Sequence, residues 1–215
     1  MRFDCKYAIF DSDGTLLDSM RYWRLAPLEY MIEHDMEIPE QMTLHDLFMG
    51  SSRHFIARVA EERGLDVMEV LSGLERCMER HYRLDVREKP GVGAFLEELR
   101  AGGAKLCVAT AAPRGMCAAA LSRLDLLKHF EFVTDGYEVG LHKGEPEFFR
   151  IVADRLGADI SDCWVFEDAL YAMQGAKSAG ARVCAIEDYT AGIHREEILS
   201  FADRYIADYR ALGGV

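Results

Sequence analysis

Tyr7-Ala8-Ile9-Phe10-Asp11-Ser12-Asp13-Gly14-Thr15-Leu16-Leu17-Asp18-Ser19 sets four apolar or aromatic residues before a carboxylate, then places a second carboxylate two residues later in a turn opened by Gly14. A short apolar run of this kind, bounded by turn residues, reads as a strand buried on both faces. The pattern recurs as Leu106-Cys107-Val108-Ala109 before Thr110, Phe132-Val133 before Thr134-Asp135, Cys163-Trp164-Val165-Phe166 before Glu167-Asp168, and Val183-Cys184-Ala185-Ile186 before Glu187-Asp188. Between these runs, apolar residues recur at three- and four-residue spacing over Val92 to Leu99, Met116 to Leu124, Phe148 to Leu156 and Leu170 to Ala179, and Gly102-Gly103, Gly157 and Gly180 mark helix ends. Strand and helix in alternation predict an α/β fold with a doubly wound, Rossmann-like parallel sheet. Such sheets bind ligands outside the carboxyl ends of their strands, which is where these acidic and hydroxyl residues fall.

Residues 18 to 88 break the rhythm. They carry helical periodicity (Leu25, Leu28, Met31, Ile32; Phe55, Ile56, Val59, Ala60; Leu71, Leu74, Met78) without a strand run, and Pro39, Gly50 and Lys89-Pro90-Gly91 punctuate them. The expectation is an all-helical insertion of some four helices after the first strand, giving a core of residues 1–17 and 90–215 and a helical domain of 18–89.

The composition suits a folded domain, with 215 residues, half of them hydrophobic and 29% charged. A formal net charge of -12 disfavours nucleic acid and anionic lipid as partners and leaves a small molecule as the default. The six cysteines form no CxxC pair and read as reduced, packed thiols. The N-terminus Met1-Arg2-Phe3-Asp4-Cys5-Lys6 has no signal-peptide core, and no apolar run is long enough to span a membrane, so the expectation is a cytoplasmic protein. A monomer or weak homo-oligomer is expected, though no residue pattern decides it.

Asp11 could attack an electrophile while Asp13 exchanges a proton beside it. The bland alternative is an Asx turn with exposed acids. Three further elements favour chemistry. Asp11-Ser12-Asp13-Gly14-Thr15 resembles the DxDGT first motif of the haloacid dehalogenase (HAD) superfamily, Thr110 matches its second motif, Lys143 its third, and Glu167-Asp168 with the helix ending Ala176-Lys177-Ser178-Ala179-Gly180 its acidic fourth. The helical insertion is similar to the cap of the branch that holds phosphoglycolate phosphatase and β-phosphoglucomutase-like phosphatases. The resemblance implies an Mg²⁺-dependent phosphatase acting on a small phosphorylated metabolite. Asp11 would become an aspartyl phosphate, Asp13 would protonate the leaving oxygen and later deprotonate water, and Thr110, Ala111 and Lys143 would hold the phosphoryl group. It further implies Mg²⁺ on Asp11, the Asp13 carbonyl and Asp168, with Glu167 as a ligand or an outer partner. Charge arithmetic agrees, since Asp11, Asp13, Glu167 and Asp168 at one sheet edge need a cation to stay ionised together. An intact second Asp favours phosphoryl chemistry over carbon–halogen hydrolysis.

The chain departs from the family pattern at Gly144, Glu147 and Ala169, where Pro, Asp and Ser are usual, and Gly144 is expected to loosen the loop bearing Lys143. Gly50-Ser51-Ser52-Arg53 resembles the phosphate-gripping cap segment of the mutase branch, which makes Arg53 a substrate-binding candidate; an exposed helix arginine is the alternative. Arg21, Trp23, Arg24 and Arg114 are weaker candidates. Mutases of that branch carry a cap histidine where this chain has Trp23, so hydrolysis is favoured over a phosphomutase, and a non-catalytic phosphate sensor stands third. The histidines, His45 among them, show no metal-ligand spacing.

Overall fold

In the computed structural model, which describes residues 3–39 and 51–212, six strands form one parallel sheet. They are β1 (Tyr7–Phe10), β2 (Lys105–Thr110), β3 (Val133–Asp135), β4 (Cys163–Glu167), β5 (Arg182–Ile186) and β6 (Arg204–Ile206), in the order β3-β2-β1-β4-β5-β6. The chain therefore winds one way from β1 and the other way from β4. Phe10, the last residue of β1, pairs with Val108 on one side and Phe166 on the other. This is the switch point of a doubly wound sheet, where neighbouring crossovers part and leave a crevice.

Helices α4 (Val92–Ala101), α5 (Arg114–Arg123), α6 (Gly136–Val139), α7 (Pro146–Leu156), α8 (Leu170–Ala179) and α9 (Arg195–Phe201) complete this unit. Because strand side chains alternate, β1 serves two packed layers. Ile9 joins Cys107, Val165, Phe148, Phe149 and Met173 in one core cluster. Phe10 turns to the other layer and stacks on Phe166 at 4.4 Å and 10°, with Phe3, Phe95 and Tyr209 around that ring. Each buried ring contributes about 1.5–3 kcal/mol, and a well-placed aromatic pair about 0.5–1.5 more, so the strand that ends on Asp11 is firmly anchored.

The sheet differs from the sequence expectation at both edges. β3 runs through Thr134 and Asp135 instead of ending at Val133. β6 was not among the apolar runs, because an edge strand of three residues buries only Ile206 well and so has little pattern to show. All six cysteines are free thiols; burial pushes Cys5 and Cys163 up to about 12, which keeps them protonated and unreactive.

The chain divides into two compact units, Met1–Asp18 with Arg87–Val215, and Ser19–Val86. The division falls one residue after 17/18 and three before 89/90 for a physical reason. The Asp18 amide donates to the Arg87 carbonyl and the Lys89 amide to the Leu16 carbonyl, both at 2.8 Å, and Leu17 bridges Glu88, so these segments form one ladder. Among the described residues the second unit holds three helices, α1 (Met20–Glu33), α2 (Ser52–Glu62) and α3 (Val67–Leu84); Gly50 and His45 lie outside the described residues. Asp66 caps α3, accepting from the Met68 and Glu69 amides. Gly73 lets α1 and α3 close together, since a Cβ there would stand 2.1 Å from the Tyr30 ring. Trp23 is part of this packing: its indole donates to the Tyr82 hydroxyl at 3.0 Å, and its carbonyl accepts from Ser52. No helix among the described residues is long and apolar enough to cross a membrane.

Candidate active site

The backbone of Asp11 continues the β1 ladder by one bond, its amide donating to the Phe166 carbonyl at 2.9 Å. The chain then turns sharply. The Leu16 and Leu17 amides both return to the Ser12 carbonyl, and Gly14, at φ +86°, takes the left-handed conformation that a side chain would strain. Asp13 is half-buried in that turn, and the Thr15 hydroxyl donates to Asp168 Oδ1 at 3.2 Å. This is more than a local Asx turn, because its hydroxyl reaches the end of another strand.

One helix–helix loop and two strand ends supply the remaining groups. Lys143, in the loop between α6 and α7, is 3% exposed and places Nζ 2.5 Å from both Asp11 Oδ1 and Glu167 Oε1. Glu167 uses its other oxygen, Oε2, to accept from the Asp168 and Ala169 amides at 2.8 Å. Its carboxylate thus holds the Asp168–Ala169 turn that leads into α8, whose N-cap residue Ala169 makes no side-chain cap of its own. Thr110 ends β2, fully buried; its Oγ1 accepts from the Ala112 amide at 3.0 Å, and Ala111 beside it is exposed.

Asp11, Glu167 and Asp168 each present an oxygen within 4.8 Å of the others, all three buried. Burial first, then the charge of Glu167, pushes Asp11 up to about 8; Asp13 adds to the rise and Lys143 opposes it. Asp168 is driven well above the usual carboxylate range by burial, Glu167, Asp11 and Asp188 in that order. Burial pulls Lys143 down, but Asp11 and Glu167 outweigh it and hold the ammonium charged. One lysine cannot neutralise three carboxylates. Buried hard oxygen donors carrying this surplus charge fit a hard divalent cation, which would replace the protons they otherwise retain.

The structure therefore brings Asp11, Lys143, Glu167 and Asp168 into direct contact and sets Asp13 and Thr110 on adjoining segments of the sheet edge. Arg53 lies in the helical unit, ion-paired with Glu75 of α3, and Arg114 pairs with Glu138 at 2.9 Å. Two features were missed. Thr15 stands inside the first motif, but its partner is 153 residues away. Lys89 is buried, donating to Asp188 Oδ2 at 2.8 Å and the Glu187 carbonyl at 2.9 Å, and only Asp188's position after a strand hinted at this.

A sheet of this order, with a carboxylate at its switch point ion-paired to a loop lysine and an acidic pair ending the next strand, defines a Rossmann-like hydrolase core. The chain belongs to the haloacid dehalogenase-like hydrolase family, whose model matches residues 5–180. It is 31% identical over 187 residues to a phosphorylated carbohydrates phosphatase of Thermotoga maritima, covering 80% of each chain. It is 28% identical over 178 residues to the fructose-1-phosphate phosphatase YqaB of Escherichia coli, covering 80% of this chain and 91% of that one. The fold is shared with CbbY from Rhodobacter sphaeroides, crystallised with phosphate, at a TM-score of 0.77 and 21% identity over 99% of this chain and 98% of that one.

Proposed function

We propose that this hydrolase is an Mg²⁺-dependent phosphatase that cleaves a small phosphorylated metabolite, a sugar or organic-acid phosphate, through an aspartyl-phosphate intermediate on Asp11. The observation that carries the reading is the buried Asp11–Lys143–Glu167 contact beside Asp168, at the end of the central strand. A lysine so held opposes the burial that raises Asp11 and aims its carboxylate, and it places a positive charge where phosphoryl oxygens would collect. The names of the two relatives, one for phosphorylated carbohydrates and one for fructose 1-phosphate, support the substrate class.

Asp11 Oδ attacks phosphorus, and the bond to the leaving oxygen breaks as Asp13 delivers a proton to it. Asp13, now a carboxylate, takes a proton from the water that attacks the phosphoaspartate, releasing inorganic phosphate and restoring Asp11. Thr110, whose oxygen already accepts from Ala112, donates its O–H to a phosphoryl oxygen, with Ala111 lining the same loop. Asp11, the Asp13 carbonyl and Asp168 would hold the cation, and bound there it supplies charge that offsets the phosphoryl oxygens and the carboxylates. Glu167 is better suited to an outer role, because Lys143 and two amides already occupy its oxygens.

Phosphate release from a panel of phosphomonoesters, with and without a hexose bisphosphate, tests this reading. Hydrolysis of sugar or polyol phosphates without activator is expected. Turnover that appears only with the bisphosphate and yields an isomeric sugar phosphate would make the chain a mutase, and silence across the panel would make it a binder. Trp23 favours hydrolysis, since its one N–H is already committed to Tyr82 and it offers no titratable group for a mutase's proton transfer.

The helical unit acts as the cap in this proposal, with Arg53 reaching the substrate by exchanging Glu75 for an anionic group. Arg53→Ala should raise KM for the true substrate by roughly 10- to 100-fold, the worth of a charge-assisted bond of about 1.5–3 kcal/mol, and leave a small aryl phosphate little changed. Equal kinetics on every substrate would return Arg53 to a surface ion pair.

A further inference from the structure

We propose that the face of α8 carrying Tyr171 and Gly175 clamps the Lys143 loop, so that Gly175 is a positioning residue for Lys143. A Cβ placed on Gly175 would lie 2.4 Å from the Lys143 carbonyl oxygen and 3.0 Å from the carbonyl carbon and oxygen of Gly144. These are backbone atoms, so no rotamer change relieves the contact. The helix runs against the loop closer than any residue larger than glycine permits. Four residues earlier, on the same face of the helix, Tyr171 lays its ring over Gly144, with Cδ2 3.5 Å from where a Gly144 Cβ would stand. The loop closes on itself as well: the His142 amide donates to Glu145 Oε1 at 2.7 Å and the Glu145 amide to the His142 carbonyl at 2.9 Å.

Lys143 is thus braced at both ends, its Nζ by Asp11 and Glu167 and its backbone by α8. The same helix begins two residues after Asp168, so one rigid element fixes the lysine and the acidic pair relative to each other. This bears on the freedom expected of Gly144. The loop gains stiffness from outside where its own sequence provides little.

The turnover part of the test rests on the phosphatase reading; the exchange part does not. Gly175→Ala and Tyr171→Ala are compared with wild type and with Gly115→Ala in α5, where a Cβ would meet nothing within 4 Å. Gly175→Ala should lower kcat on an aryl phosphate roughly 10- to 100-fold, the scale of an ångström-size misplacement of a catalytic group. It should also speed amide hydrogen exchange in a peptide spanning residues 141–148, while Gly115→Ala changes neither. Orthovanadate affinity, read by calorimetry, should fall in Gly175→Ala but not fall further when Lys143→Ala is already present, because both act through one group. Additive losses in that cycle, or kcat and exchange both at wild-type values, overturn the clamp. Should Gly175→Ala fail to fold, Tyr171→Ala decides by the same readouts, because its half-exposed ring leaves no core cavity. If the wild type hydrolyses no phosphomonoester, faster exchange in the two variants keeps the clamp and fells the function, and unchanged exchange fells the clamp.

Discussion

Replacing Asp11 with Asn should abolish turnover, with a loss in kcat on the order of 10⁶-fold, as when an enzyme loses its covalent nucleophile. The amide has nearly the shape of the carboxyl but carries no charge and will not attack phosphorus. The fold should survive, since Glu167 still pairs with Lys143 and the Asp11 amide bond to Phe166 is a backbone contact. Circular dichroism and melting should therefore show a folded protein that forms no phosphoenzyme. Asp13→Asn should differ, because the nucleophile remains and only proton transfer is lost, a deficit of about 10² to 10⁴-fold. Residual activity should be best with aryl phosphates, whose leaving groups need no proton. In the wild type, borohydride reduction of trapped phosphoenzyme should mark Asp11 in the mass spectrum. Label on a serine or histidine, or an Asp11→Asn variant with normal turnover, would end the covalent-aspartate mechanism.

The central strands and their acidic ends were legible because β1, β2, β4 and β5 are buried on both faces, which forces unbroken apolar runs, and a polar residue stops each run at the sheet edge. Asp11 and Glu167-Asp168 could be placed at one sheet edge for that reason, whereas the strand order that makes β1 and β4 neighbours came from the structure. The sequence did not reveal what each group does to its neighbour. Glu167 is a free acid in the sequence and a fully engaged one in the fold, because Lys143, 24 residues earlier, reaches it only once the sheet has formed, while its other oxygen takes the neighbouring Asp168 and Ala169 amides. Gly144 read as a loosening residue for a similar reason. Its restraint comes from Gly175 and Tyr171, some thirty positions downstream, and a glycine inside a helix gives no sign of the backbone it approaches. β6 escaped notice because a short edge strand has too few buried positions to impose a pattern.

Removing the divalent cation should abolish turnover and should also change how stability depends on pH. In the cation-free protein Asp11 titrates near about 8 in the folded state against 3.8 ordinarily, and Asp168 moves in the same direction. Between those two values the folded state binds a proton that the unfolded chain has released. Stability from this source is therefore complete below about pH 4 and is lost as the pH rises through about 8, the reverse of a salt-bridged surface carboxylate. A bound cation takes over the role of the proton. It competes poorly where Asp11 and Asp168 are protonated and well where they would be ionised, so its stabilisation should grow with pH. The increment in melting temperature on adding Mg²⁺ to EDTA-treated protein should accordingly be small near about pH 5 and largest near about pH 8, and activity should return in step with it. Asp168→Asn should flatten this dependence and raise the Mg²⁺ concentration needed for half-maximal activity. Full turnover in metal-free buffer, or an increment that shrinks as pH rises, would show that the buried carboxylates of Asp11, Glu167 and Asp168 are not a cation site.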